Sequence, residues 1–395
     1  MNARPLATEK GYTLAELLVV LVIFGIVLTL TTASFNRIVL TSGQTIRSSE
    51  TEIEGLIGLE VLRADLELAG FGLPWSFQND IVYSEAASVS GTNKPPDPAP
   101  YNDAPNHSPR AIVSGDNVGF NHSDYLVLKG SALGSSDASR KTSYMTYGPV
   151  VRATKNGDTD LRLGSLDKAI ALNATTRSGV GTRELVMNGA QFFFPFDSLG
   201  HLVQNSPAFL PKALNDNYLV YGLLDGDSSS DPAAPFNRAD YYLFRPDDIN
   251  SRCAPQTAVL YKGILNPGGS FQTLPLLECV ADLQVVYGFT QDSRLNGTID
   301  LHDDKVTGFS AAAATARDIR DQVREVRVYV LAHEGKMDRD YVYPKSTVPV
   351  GEFGHGSLFD LPAVIGAKCP ARQPDCWKHY RWKVYTIVVN PKNLN

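Results

Sequence analysis

The chain has 395 residues, 43% of them hydrophobic, which is enough for a sizeable core and for one elaborate domain or two. Its formal net charge is −6 and it has no long basic run, so nucleic acid is not a partner the composition suggests. Common enzyme motifs are missing: there is no GxSxG, no HExxH and no Walker loop, and the seven histidines are scattered without metal-ligand spacing.

The first element is an apolar run. From Leu17 to Ala33 seventeen residues pass without a charge, and counting back to Tyr12 brings the segment to the ~20 residues a bilayer-spanning helix requires. Arg4 and Lys10 precede it, and their positive charge predicts a cytoplasmic N-terminus with the C-terminal mass sent across the membrane. Glu16 is out of place in such a run, because a carboxylate near the middle of a membrane helix costs on the order of 2.5–3.5 kcal/mol on insertion scales, and less near the interface. It either snorkels to the headgroups or serves a function.

Lys10, Gly11 and Tyr12, with Glu16 four residues beyond Tyr12, resemble the type IV prepilin signal. The resemblance implies cleavage after Gly11 by a prepilin peptidase, N-methylation of the new N-terminus on Tyr12, and a glutamate at the fifth mature position. The usual aromatic at that N-terminus is phenylalanine, so Tyr12 is a mild departure. The physics fits: a glycine puts no side chain before the scissile bond, and the freed amine lies ~6 Å along the axis from Glu16. In hydrocarbon the carboxylate needs a counter-charge. An axially shifted neighbour whose Tyr12 amine meets this Glu16 makes a head-to-tail contact, and such contacts build open filaments. The competing export reading is a secretory signal cut near Thr31-Thr32-Ala33. For that reading the apolar run is long and Glu16 has no purpose.

Residues 34–70 continue as an amphipathic helix. Ile46, Ile53, Ile57, Val61, Ala64 and Leu68 recur at mostly helical spacing, flanked by Leu56, Leu59, Leu62 and Leu66, while Glu60, Arg63 and Glu67 can pair on the other side. One face is expected to lie on a globular head. Gly25, Gly43, Gly55 and Gly58 are places where the helix could bend, and Gly70-Phe71-Gly72-Leu73-Pro74 is a strong stop. The run Arg63 to Gly72, RADLELAGFG, resembles the corresponding stretch of PilW-type minor pilins, relatives of the J-type pseudopilins of type II secretion.

Trp75 to about Pro109 reads as loop, with a proline-rich turn or extended segment at Lys94 to Pro100. Short β-type runs follow at Tyr125–Leu128, Tyr144–Arg152, Leu185–Phe196, Tyr218–Leu224, Tyr241–Arg245 and Ala258–Ile264. Phe309 to Arg324 predicts a short helix leading into a strand at Val326–Val330, and the last strand is Tyr380–Val389.

Four cysteines, Cys253, Cys279, Cys369 and Cys376, lie in the exported part, where an oxidising compartment lets them pair. Proximity favours Cys253–Cys279 and Cys369–Cys376, worth roughly 3.5 and 2.4 kcal/mol by loop closure. Three connectivities are formally open, and zinc is a rival reading that lacks paired CxxC units. The layout around Cys253 and Cys279, CAPQTAVLYKG then PLLECVADLQVVYGF, resembles the same family. Asp225, Asp227 and Asp231 in one loop, and Asp292 and Asp300 with Asp303 and Asp304 in another, offer the oxygen ligands calcium takes. Solvated turns are the alternative, and no other cofactor is implied. His302 beside Asp303 and Asp304 is the nearest approach to a catalytic constellation, which a polar turn also explains.

Together these features predict an α+β protein: a leader at 1–11, a transmembrane and filament-core helix at 12–33, an amphipathic helix at 34–70, and a β-rich, mainly antiparallel head at 71–395 stapled by disulfides. About 75–240 is atypical of the family. The resemblance implies a non-enzymatic minor pilin that primes or caps a type IV pilus near its tip, serving pilus biogenesis, motility or adhesion. Its partners would be other minor and major pilins, prepilin peptidase, and a tip adhesin. It would sit in the inner membrane before assembly. The alternatives are a J-type pseudopilin and a membrane-anchored periplasmic binding domain.

Overall fold

The N-terminal apolar run and the amphipathic stretch after it form one α-helix, α1, Leu14–Leu68. In the computed structural model the described residues are 14–77, 81–91, 93–147, 150–151, 160–161, 166–174, 183–196, 207–290, 298–306 and 314–394, with backbone only at 33–54 and 150–151. The backbone divides into two compact units, Met1–Glu52 and Ile53–Asn395.

In the first unit, Leu14–Thr32 has a mean hydropathy of 2.7 and is long and apolar enough to cross a membrane. Every one of its side chains is exposed. The Thr29, Thr31 and Thr32 hydroxyls donate to the carbonyls of Ile26, Val27 and Leu28 at 2.8, 2.7 and 2.8 Å. These polar groups are thereby satisfied within the helix, as hydrocarbon surroundings would demand.

The second unit begins with the last turns of α1. The expected stripe of Ile57, Val61, Ala64 and Leu68 is not the face that packs: Ile57 and Ala64 are exposed, while Gly55, Gly58, Leu59, Leu62, Asp65, Leu66 and Ala69 are buried. The glycines explain the rotation. A Cβ on Gly58 would stand 2.1 Å from the Leu276 carbonyl oxygen, and one on Gly55 would stand 3.0 Å from the Leu277 side chain. Gly55 and Gly58 therefore permit close approach of a strand, where the sequence suggested bending, and α1 runs through Gly25, Gly43, Gly55 and Gly58 unbroken. The helix stops as expected, with Gly70 and Gly72 at φ 81 and 64, and the Gly70 N–H donating to the Lys129 carbonyl at 2.9 Å.

Among the described residues seventeen strands follow. They are β1 (Ser76–Phe77), β2 (Ile112–Gly115), β3 (Tyr125–Gly130), β4 (Thr142–Thr146), β5 (Val150–Val151) and β6 (Lys168–Asn173). Next come β7 (Glu184–Leu185), β8 (Phe194–Pro195), β9 (Asn217–Leu224), β10 (Asn237–Phe244), β11 (Ala258–Leu265) and β12 (Phe271–Phe289). The last are β13 (Leu301–Asp303), β14 (Val323–Glu334), β15 (Thr347–Val350), β16 (Ser357–Asp360) and β17 (Arg381–Val389). The described residues also form two short α-helices, α2 (Ala316–Gln322) and α3 (Leu361–Val364). The Thr315 hydroxyl and the Asp318 carboxylate form a capping box at the start of α2, inside the stretch where a short helix was expected.

The larger sheet has eight strands in the order β17-β14-β12-β11-β10-β3-β2, with β13 added to β12. All its pairs are antiparallel. A seven-stranded sheet runs β1-β7-β6-β9-β4-β5 with β8 on β6, and β15 and β16 form a separate hairpin. The main core gathers Leu59, Leu62 and Leu66 of α1 with Leu126, Leu128, Tyr241, Leu260, Leu283, Val285, Val328 and Ile387 of the larger sheet. Side chains alternate along β17, so Tyr385, Ile387 and Val389 enter this core while Trp382 packs on the other side with Trp377, Leu361 and Phe359. The architecture is the expected α+β, a helix followed by an antiparallel β-rich head with two disulfides.

Candidate functional site

The sequence signals concentrate at the start of α1. Glu16 is exposed in its first turn, where a carboxylate is favoured by the helix dipole. Gly11 and Tyr12, and with them the cleavage site, lie outside the described residues. Around Glu16 the surface is continuous hydrocarbon, with Leu17, Leu18, Val20, Leu21 and Phe24 exposed by 57–63%. A water-soluble domain rarely presents such a surface; lipid or a neighbouring apolar helix would cover it.

Within the head the helix is tied to the sheet at Asp65. Its carboxylate accepts from the Tyr241 hydroxyl at 2.5 Å and lies 2.5 Å from Lys262 Nζ. Burial and this carboxylate push the Tyr241 phenol well above its ordinary pKa. Asp65 belongs to the RADLELAGFG run, so that stretch does more than end a helix.

Both disulfides pair by proximity, Cys253 with Cys279 and Cys369 with Cys376, at Cα–Cα distances of 4.8 and 5.7 Å. Although Glu278 stands beside the first bond, its two sulfurs are committed to each other and are not metal ligands.

The acidic loops have structural employment. Asp225 accepts from the Ala138 N–H at 2.8 Å and caps the 3₁₀ turn Asp137–Arg140 from a distance. Asp231 pairs with Lys168 at 3.0 Å, and Asp227 is exposed. Asp300 accepts from the Thr290 hydroxyl at 3.3 Å, and Asp292 lies outside the described residues. Among the described residues these carboxylates are not gathered around a common point; Asp303, Asp304 and His355 are, within 4.8 Å of one another. The sequence reading missed His355, which arrives from the loop between β15 and β16. His302, by contrast, stacks on Phe353 with ring centroids 3.8 Å apart.

A larger polar assembly was also missed. Lys129 and Arg238 are buried on the face of the larger sheet opposite α1. Lys129 Nζ lies 2.7 Å from Glu85 and 2.6 Å from Asp103. Arg238 meets Glu85 at 3.0 Å and Asp240 at 2.7 Å, and donates to the Asn102 side chain and the Pro98 carbonyl. Arg110 closes the set on Asp103 at 2.6 Å, so three cations face three carboxylates. Asp103 is held below its usual pKa by Lys129 and Arg110 against the cost of burial. The alternation in Arg238-Ala239-Asp240 was the available signal, since it puts both charges on one face of a strand.

Elsewhere burial raises the Asp124 and Asp282 carboxyls to about 7 and about 6. It lowers the His333 imidazole to about 3, which keeps it neutral as acceptor for the Ala254 N–H at 2.8 Å.

The larger polar clusters are mutually satisfied, and the N-terminus is where a family pattern appears. A model of the prokaryotic N-terminal methylation motif matches residues 6–32. No curated protein and no solved structure matches the chain. The chain thus carries a prepilin-type N-terminus on an apolar membrane-length helix, which supports a type IV pilin-like protein processed by prepilin peptidase and assembled with other pilins.

Proposed function

We propose that this chain is a PilW-like minor pilin, non-enzymatic, that primes or caps type IV pilus assembly near the filament tip. It is cut after Gly11, methylated on Tyr12 and inserted through α1, with Glu16 neutralised by the N-terminal amine of a neighbouring subunit. Before assembly it spans the inner membrane with its N-terminus cytoplasmic. The observation that carries the reading is the methylation motif at 6–32 laid on a helix whose apolar residues from Leu14 to Leu30 are exposed around one carboxylate. The size of the head, over 300 residues from Ile53 onward, favours a terminal position, because repeating it along a thin shaft would crowd.

The test is mass spectrometry of the mature N-terminus from native membranes and from sheared surface fibres. N-methylated Tyr12 is expected; an intact Met1 or a start at Ser34 overturns the pilin reading. In the same strain, Glu16→Ala is expected to leave the protein exported and folded but poorly incorporated into fibres. Electron microscopy of labelled subunits decides position, and regular spacing along the shaft would sink the tip assignment.

A further inference from the structure

A cleft of about 530 Å³ opens where β10 ends, between the segment carrying Lys94 and the turn carrying Val118 and Phe120. That volume lies in the range of small-molecule sites. Part of its lining is the local sequence Phe244-Arg245-Pro246-Asp247. Pro246 has no N–H to continue a ladder, so the strand stops and Arg245 is left at the rim of the sheet.

Arg245 is half-buried there, and its one hydrogen bond among the described residues goes from Nη1 to the Thr257 carbonyl. No carboxylate of the described residues is within ion-pairing distance of its guanidinium. This sets it apart from Arg238, which meets two carboxylates. Desolvation lowers the Arg245 pKa with no neighbouring anion to offset it, yet an arginine stays charged in proteins. A partly dehydrated guanidinium with donors to spare is a fork for a bidentate oxyanion.

The rest of the cleft narrows the choice. Lys94 adds a second cation at the mouth, and Asp247 adds one anion whose Oδ1 accepts from the Asn93 amide at 2.9 Å. The net positive charge of one suits a monoanion, whereas a phosphate dianion would meet the Asp247 carboxylate. The lining also has an apolar part, with Val118, which is 51% exposed, and Phe120 and Phe244. Phe244 is the outer end of an aromatic row through Tyr261, Tyr242, Tyr125 and Tyr101, with centroid spacings of 4.8 to 6.3 Å. Its ring is therefore held by packing and does not need to be ordered by a ligand.

We infer that this cleft binds a small organic monocarboxylate with a ring-shaped body, the carboxylate on Arg245 and the ring against Phe244 and Val118. The inference goes beyond the pilin reading and stands independently of it.

The experiment is calorimetric titration of the full chain in detergent micelles with benzoate, with benzamide as the neutral control of equal shape and inorganic phosphate as the rival anion. Saturable benzoate binding is expected, with benzamide and phosphate weaker by roughly tenfold or more, the equivalent of one charge-assisted pair. Arg245→Gln is expected to weaken benzoate by a similar factor. Because Arg245 also holds the Thr257 carbonyl, a second variant, Val118→Trp, fills the cleft from an exposed position and should abolish binding with an unchanged unfolding curve. Equal binding of benzoate and benzamide, phosphate binding as tight as benzoate, benzoate binding retained in both variants, or no benzoate binding up to about 20 mM would each overturn the inference.

Discussion

Leu14–Thr32 and the segment 81–110 are opposites in almost every respect. The first is regular, uniformly apolar and exposed along its whole length, with its backbone satisfied internally. Among its described residues the second has no strand and one 3₁₀ turn, Ala99–Tyr101, yet Ile81, Tyr83, Glu85 and Asp103 are buried and its position is set by ion pairs to Lys129 and Arg238. Regular secondary structure is therefore a poor guide to which part of this chain is fixed by the head. The irregular segment is locked by charges that need each other once dehydrated. The regular helix presents an apolar surface along its whole length from Leu14 to Thr32.

The strongest way to break that contrast is Arg238→Met. It leaves Glu85 and Asp240 buried without one of their cations, and a loss of about 3–5 kcal/mol is expected in denaturant unfolding of the head. Glu16→Ala in the exposed run should change the same measurement by less than about 0.5 kcal/mol. A smaller effect separates two glycines of one helix. Gly58→Ala forces a Cβ against the Leu276 carbonyl and should cost about 1–3 kcal/mol, whereas Gly25→Ala meets nothing within 4 Å and should leave head stability unchanged. If the two substitutions cost the same, the close approach of α1 to β12 is wrong.

The last effect is spread over several pH units. Asp124 titrates at about 7 in the fold, raised by burial with help from Asp116 and Asp282, and near its ordinary value when unfolded. Between those values the folded state keeps a proton that the unfolded state has lost. Stability from this group therefore falls as pH rises through roughly 4 to 7, by at most about 1.4 kcal/mol per pH unit, and is flat above. His333, buried neutral, acts in the opposite direction, so the contribution is read as a difference: Asp124→Asn should flatten the stability curve between pH 4 and 7 relative to the parent chain.

Much of the architecture is legible in the sequence because it is written locally. The helix stop at Gly70 and Gly72, the strands at Tyr125, Tyr218, Ala258 and Val326, and the disulfides at separations of 26 and 7 residues depend on neighbours along the chain. What was not legible depends on long-range meetings. The buried face of α1 could be read only by knowing that a strand would come within contact of Gly55 and Gly58. Glu85, Asp103, Lys129 and Arg238 belong to stretches far apart, and nothing in any one of them names its partner. The role of Asp225 was hidden for the same reason, since its carboxylate is spent on a turn 87 residues upstream. The N-terminal signal is the exception, a functional pattern complete within 6–32.

The join between α1 and the larger sheet also has a mechanical consequence. A load applied along the axis of α1 would pass to the head over the turns from Gly58 to Ala69. There the Asp65 carboxylate, the Leu59, Leu62 and Leu66 side chains and the contact at Gly58 succeed one another along the helix. Loaded in that direction they resist in shear, all at once, so sliding the helix out requires breaking them together. Peeling it away from the sheet would let them fail one after another.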